Sequence, residues 1–138
     1  MNRFVLDCSM TMAWCFEDES SPRTISALAA LEASEAVVPS LWPLEVANVL
    51  AICQRRQRIG AGDISRFLTM LNGLPITVDD QTPKRAFGDV LALARTRQVS
   101  AYDAAYLELA MREGCPLASL DARLNATAAD LGIRLLAG

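Results

Sequence analysis

Histidine is absent from this chain, which removes imidazole acid–base catalysis, Ser-His-Asp triads and the usual zinc motifs. The cysteines Cys8, Cys15, Cys53 and Cys115 form no CxxC pair and read as reduced, buried small hydrophobes. No stretch approaches the roughly 18 apolar residues of a membrane span. The apolar run after Arg3 is only Phe4 to Leu6, too short for a signal peptide, so the expectation is a cytoplasmic protein with no membrane partner. Positive charge is also scarce. A net charge of −3 gives no long-range attraction to nucleic acid, so a polyanionic substrate would need a local basic surface or a bound metal. Carboxylates and water are the chemistry left.

With 138 residues, 52% of them hydrophobic, the chain has the size and composition of one folded domain spanning 1–138. Periodicity and punctuation divide it into alternating short strands and helices. Arg3 to Leu6 reads as a strand, with helical spacing from about Ser9 and again from Pro22 to about Ser34, separated by a loop around Glu17 to Ser21. Ala36 to Val38 is a second strand. A helix starts near Leu41, tolerating Pro43 in its first turn, and runs to about Arg58 before Gly60; Asp63 to Leu71 is the next. Pro75 to Val78 is a strand, and a single helix runs from Thr82-Pro83 to about Arg97. Ser100 caps a helix ending at Gly114, Leu117 to Leu120 is a strand, Ala122 to Leu131 a helix, and Ile133 to Leu135 a last strand. Alternation of this kind predicts a mostly parallel sheet covered on both faces, an α/β fold in the form of a three-layer α/β/α sandwich.

Four acids stand in apolar settings, where an unpaired carboxylate is expensive: FVLD at Asp7, LWPLEVANVL at Glu45, SAYDAAYLELA at Asp103 and PLASLD at Asp121. Asp7 and Asp121 follow strand runs, at the edge where open α/β sheets bind ligands. Glu45 shares a helical face with Leu41, Val49 and Ile52 and is expected to point inward. Asp103 shares a side with Tyr106, Leu107 and Ala110. Capping is the competing reading: Ser100 to Asp103 matches a capping box, and Asp7 and Asp121 are well placed as N-caps. Glu45 has no such role, and the four together point to a bound divalent cation.

At this point the chain resembles the PIN-domain ribonucleases, and within them the VapC-type toxins of toxin–antitoxin pairs. The likeness rests on Val5-Leu6-Asp7-Cys8-Ser9, Leu44-Glu45-Val46-Ala47-Asn48, Ser100-Ala101-Tyr102-Asp103-Ala104-Ala105-Tyr106 and Leu120-Asp121, and it covers essentially the whole chain. The resemblance implies a PIN-like fold and an Mg²⁺- or Mn²⁺-dependent endoribonuclease leaving 5′-phosphate and 3′-hydroxyl ends. Asp7, Glu45, Asp103 and Asp121 would be its metal-binding catalytic acids, with Ser9 as the small polar residue two after the first aspartate. Asn125 stands where some members carry a further acid. A VapB-like antitoxin and a homodimeric state are implied as well.

Outside that set, Arg55, Arg56 and Arg58 make a basic helix end suited to RNA phosphates, although arginines there also favour the helix macrodipole. Arg95 and Arg97 carry the same ambiguity. Asp7 with Thr11, and later Asp79-Asp80, loosely suggests an aspartate-based phosphotransfer enzyme or receiver-like domain, but the sole lysine, Lys84, lies at a helix start rather than a strand end. A PIN-like module kept only for binding is the remaining alternative, against which the intact acidic set argues.

Overall fold

The computed structural model describes residues 2–136. Its centre is β1 (Asn2–Leu6), in which Phe4, Val5 and Leu6 are all buried. Successive strand residues point to opposite faces, so continuous burial means that both faces are covered. Parallel partners flank it: β2 (Ser34–Val38), with Val5 opposite Val37, and β4 (Leu117–Ala118), with Val5 opposite Leu117. β3 (Ile76–Val78) adds outside β2, giving the order β3-β2-β1-β4, all parallel. Every connection between these strands is therefore helical, as the alternating pattern requires.

The first crossover carries α1 (Cys8–Ala13) and α2 (Pro22–Ala30), with a short turn of 3-10 helix at Glu17–Glu19 between them. α3 (Trp42–Arg55) and α4 (Ala61–Asn72) follow β2. After β3 come α5 (Thr82–Arg85), a wide turn over Ala86–Val90, α6 (Leu91–Arg97) and α7 (Ala101–Glu113); α8 (Ala122–Asp130) follows β4. The sequence predicts one helix from 82 to 97, and the chain breaks it at Gly88, whose φ −102°, ψ −105° is not helical. Glycine is a poor helix former, and here no neighbour lies within 4 Å of where its Cβ would be.

Other boundaries shift for local reasons. α3 stops at Arg55 rather than Arg58 because Gln57 turns left-handed at φ 60° and Arg58 N–H closes onto the Cys53 carbonyl. α4 starts two residues before Asp63, whose carboxylate accepts the Gly60 N–H. The expected last strand at 133–135 reduces to one parallel bridge, Leu135 to Leu117. Among the described residues no helix is long and apolar enough to cross a membrane.

α3 also rotates relative to the expected face. Its fully buried stripe is Trp42, Val46, Leu50 and Cys53, and the stripe of Leu41, Glu45, Val49 and Ile52 lies beside it, half-buried. Glu45 therefore sits at the margin of the core and not within it.

Candidate active site

Asp7 follows the last residue of β1 and is 5% exposed. It is an N-cap, as its position suggests: Oδ1 accepts the Met10 N–H at 2.9 Å. The cap uses only part of its capacity. Ser9 Oγ lies 2.8 and 2.9 Å from the two carboxylate oxygens, and Ser119 Oγ donates to Oδ2 at 2.5 Å. These hydroxyls tie the two neighbouring strand ends together, since Ser9 Oγ accepts the Leu120 N–H and Ser119 Oγ accepts the Asp121 N–H, both at 3.0 Å. Burial raises the Asp7 pKa, the hydrogen bonds from Ser119, Met10 and Ser9 work against that, and Asp121 adds a like-charge push upward.

Asp121 caps α8 through Oδ1 alone, which accepts from Arg123 N–H at 2.9 Å and Leu124 N–H at 3.1 Å. Asp103 is half of a capping box: Ser100 Oγ accepts the Asp103 N–H at 3.0 Å, while no reciprocal bond from the Asp103 carboxylate completes the box. Glu45 Oε1 accepts from Tyr106 O–H at 2.5 Å. Capping and clustering thus coexist: the Asp121 cap engages one carboxylate oxygen, and the Asp103 carboxylate takes no part in the Ser100 cap.

The four acids form a closed circuit of electrostatic neighbours. Asp7 feels Asp121, Glu45 feels Asp7 and Asp103, and Asp103 feels Asp121. Burial is the largest cause of the raised pKa values of Asp7, Glu45 and Asp103, and the like charges add to it; for Glu45 the Tyr106 bond opposes the rise. Cys8, between Asp7 and Ser9, is pushed up to about 12 by burial and by the Glu45 and Asp7 charges, so it is no thiolate nucleophile. Exposure grades across the circuit from buried Asp7, through half-buried Glu45 and Asp103, to exposed Asp121. Asp103 and Asp121 line one depression together.

Among the described residues, none of these four carboxylates is in an ion pair, whereas Asp18, Asp63, Asp79 and Glu108 all hold arginines. No three His, Cys, Asp or Glu side chains among the described residues stand close enough to hold a metal as they are. The donor set nevertheless fits a hard divalent cation: it is all oxygen, partly desolvated and mutually repulsive, with the Arg123 charge opposing that repulsion only in part at Asp103, whose pKa stays raised. Asn125 belongs to the same cluster. Its Nδ2 donates to the Ser119 carbonyl at 3.0 Å, and its Oδ1 is buried without a partner.

Ser119, Tyr106 and Arg23 are the site neighbours that pattern reading passes over. Ser119 sits in an apolar run and reads as strand filler, although Ser119-Leu120-Asp121 reverses the Asp7-Cys8-Ser9 spacing. Tyr106 reads as core, and Arg23, which donates to the Ser119 carbonyl at 2.8 Å, gives no local signal at all. Arg55 and Arg56 are exposed near the end of α3, ten and eleven residues beyond Glu45, or on the order of 15 Å along a helix. Arg58 is committed to Glu19 and Asp18 and lies 3.8 Å over the Phe16 ring. Asp79 is held bidentately by Arg112, at 3.1 and 2.9 Å, and Lys84 is exposed on α5. That is a structural ion pair and not a phosphoacceptor with its lysine.

The family model of the PIN domain matches residues 4–130, and the chain belongs to this family, whose members are typically metal-dependent nucleases. Three solved structures share the fold. PAE2754 from Pyrobaculum aerophilum superposes with a TM-score of 0.66 at 21% identity, over 91% of this chain and 84% of that one. FitAcB from Neisseria gonorrhoeae gives 0.65 at 13% identity, over 97% and 96%. VapC20 from Mycobacterium tuberculosis, a toxin that cleaves the sarcin–ricin loop, gives 0.60 at 16% identity, over 89% and 93%. At these identities the likeness is one of fold. Among curated proteins none matches the sequence.

Proposed function

We propose that this chain is a single-domain, cytoplasmic VapC-type toxin: an endoribonuclease that hydrolyses RNA phosphodiester bonds with Mg²⁺ or Mn²⁺ and is restrained by a cognate antitoxin. The circuit of unpaired carboxylates at the strand ends carries the reading. Asp7, Asp103 and Asp121 would hold the cation directly or through water, with Asn125 Oδ1 as a further oxygen donor. When bound, such a cation supplies a water of lowered pKa and offsets charge on the phosphate.

The protein's own groups divide the remaining work. Ser9 and Ser119 fix both oxygens of Asp7, so that carboxylate is pre-oriented. Tyr106 holds Oε1 of Glu45 and leaves Oε2 to orient a water and take its proton, a role suited to a carboxyl whose pKa is raised by burial. Arg55 and Arg56 would contact phosphates of a long RNA well away from the cut. An inhibitory partner would place an arginine or lysine among the carboxylates, supplying the ion pair that none of them makes among the described residues. An apolar groove of about 590 Å³ between α3, α4 and β3, lined in part by Trp42, Val46, Leu50 and Leu68, supports the presence of a partner. Phe87, 92% exposed, supports self-association into a homodimer.

The test is cleavage of RNA by purified protein. Activity is expected to vanish in chelator, return with Mg²⁺ or Mn²⁺ and be missing in Asp7→Asn; full activity in excess EDTA sinks the assignment.

A further inference from the structure

An acidic protein that cuts RNA needs a cationic surface next to its carboxylates, and one cleft provides it. A depression of about 440 Å³ is lined by Asp103 and Asp121 on one side of the acid circuit and by Arg97 and Arg123. Among the described residues neither arginine is in an ion pair, although carboxylates share the cleft and other arginines of the chain, Arg58, Arg66 and Arg112, are paired with acids.

Arg123 runs against local preference, whereas Arg97, in the last turn of α6, stands where the helix macrodipole favours a cation. Arg123 lies in the first turn of α8, directly after its Asp121 cap. That is the positive end of the helix, where a cation is disfavoured by about 0.3–1 kcal/mol. Arg97 precedes Gln98, a non-glycine residue held left-handed at φ 56°. This strained residue ends α6, with the Val99 N–H bonded to the Ala94 carbonyl at 3.2 Å, and two residues later Ser100 caps α7. The turn fixes where the Arg97 stem begins, just as the Asp121 cap fixes that of Arg123. An arginine kept against the helix dipole and a left-handed non-glycine turn, both lining one cleft, fit a site kept for a ligand.

We infer that Arg97 and Arg123 form a clasp for an RNA phosphate neighbouring the one that is cut. The inference rests on the nuclease reading above and deepens it. Guanidinium groups present paired donors that match phosphate oxygens. Because Asp103 and Asp121 share the cleft, a nucleotide backbone held there is led straight to the carboxylates. The two arginines are positioning residues: they act on where the RNA lies and not on the reacting atoms.

The experiment compares Arg97→Gln, Arg123→Gln and the double variant with the Lys replacements, and with Arg134→Gln as a control for the change in net charge. Arg134 is exposed, and its carbonyl accepts the Leu117 N–H where β4 begins, away from the strand ends that carry the acids. Initial rates are measured on a fluorescein-labelled mixed-sequence RNA oligonucleotide with Mg²⁺, and binding of the same RNA is followed by anisotropy in chelator over a salt series. The double variant should raise KM roughly tenfold, as expected for two charge-assisted hydrogen-bonded pairs partly screened by solvent, with kcat little changed. The slope of log K against log salt should flatten by about 0.7 for each phosphate no longer neutralised by an arginine. Lysine should restore most of the salt slope. Kinetics and salt dependence indistinguishable from Arg134→Gln overturn the clasp, as does a wild type that fails to bind RNA at low salt. A wild type that binds through these arginines yet leaves RNA uncut counts against the nuclease reading and leaves the clasp standing.

Discussion

Ser119→Ala removes one hydroxyl and so isolates what holds the buried carboxylate. Ser119 is 1% exposed; its Oγ donates to Asp7 Oδ2 and accepts the Asp121 N–H at 3.0 Å. A hydrogen bond to a charged group contributes about 1.5–3 kcal/mol. Water can replace the acceptor for the amide of exposed Asp121, so most of the loss belongs to Asp7, and the total should be about 2–3 kcal/mol at neutral pH. For a chain of this length that corresponds to a fall in Tm of roughly 6–12 °C. The loss should depend on pH. The Ser119 bond lowers the Asp7 pKa, so without it the carboxyl protonates at still higher pH, and the variant's deficit should shrink as pH falls and that proton is taken up. Urea denaturation of both proteins between about pH 5 and 8, in chelator, measures this directly, with Ser9→Ala and the double variant completing a cycle around one carboxylate. A deficit below about 0.5 kcal/mol at neutral pH, or one that does not vary with pH, refutes the claim that Ser119 holds an ionised Asp7.

Asp103→Asn should abolish cleavage while leaving Tm unchanged or raised in metal-free buffer, since it removes a repulsive charge and keeps the Ser100 cap; activity assays and melting on one preparation decide it. In chelator, Asp7, Glu45 and Asp103 hold their protons to higher pH than their ordinary values of 3.8, 4.5 and 3.8. The folded state therefore binds more protons than the unfolded one above those values, and stability should fall as pH rises through the folded pKa values. Asp79, lowered by its hydrogen bonds from Arg112, works the other way only below 3.8. In chelator, melting should thus fall as pH rises above the ordinary carboxylate range, with saturating Mg²⁺ removing the trend; a curve that only rises there contradicts the crowding of acids. Co-expression with the product of an adjacent gene should relieve growth arrest by the wild type, and neutralising the partner's basic residue at the carboxylates should weaken that relief; no arrest and no co-purifying product would favour a free-standing PIN nuclease.

The sheet was legible because consecutive apolar residues such as Phe4-Val5-Leu6 have few stable homes other than a strand covered on both faces. The four acids were legible for the complementary reason, that charge in an apolar run demands explanation. What escaped was tertiary. Nothing local distinguishes Ser119 from any other small residue in a short strand, because its role depends on β4 lying beside β1. The face of α3 was misplaced by one residue because Leu41 and Trp42 both begin acceptable apolar stripes, and packing chose the one headed by the larger side chain. The break at Gly88 went unseen because one glycine in a helical pattern costs only about 1 kcal/mol.

The order of the strands also sets when the four acids can come together. β1, made first, is the inner strand between β2 and β4, and the hydroxyl that completes the setting of Asp7 comes from residue 119. During synthesis Asp7 must wait for more than a hundred residues before its neighbours on the β4 side exist. Such non-local closure is slow compared with helix formation, so on the proposed nuclease reading a nascent chain that carries Asp7 without Asp121 would not yet attack RNA. The topology builds in a delay between the making of Asp7 and the completion of its surroundings.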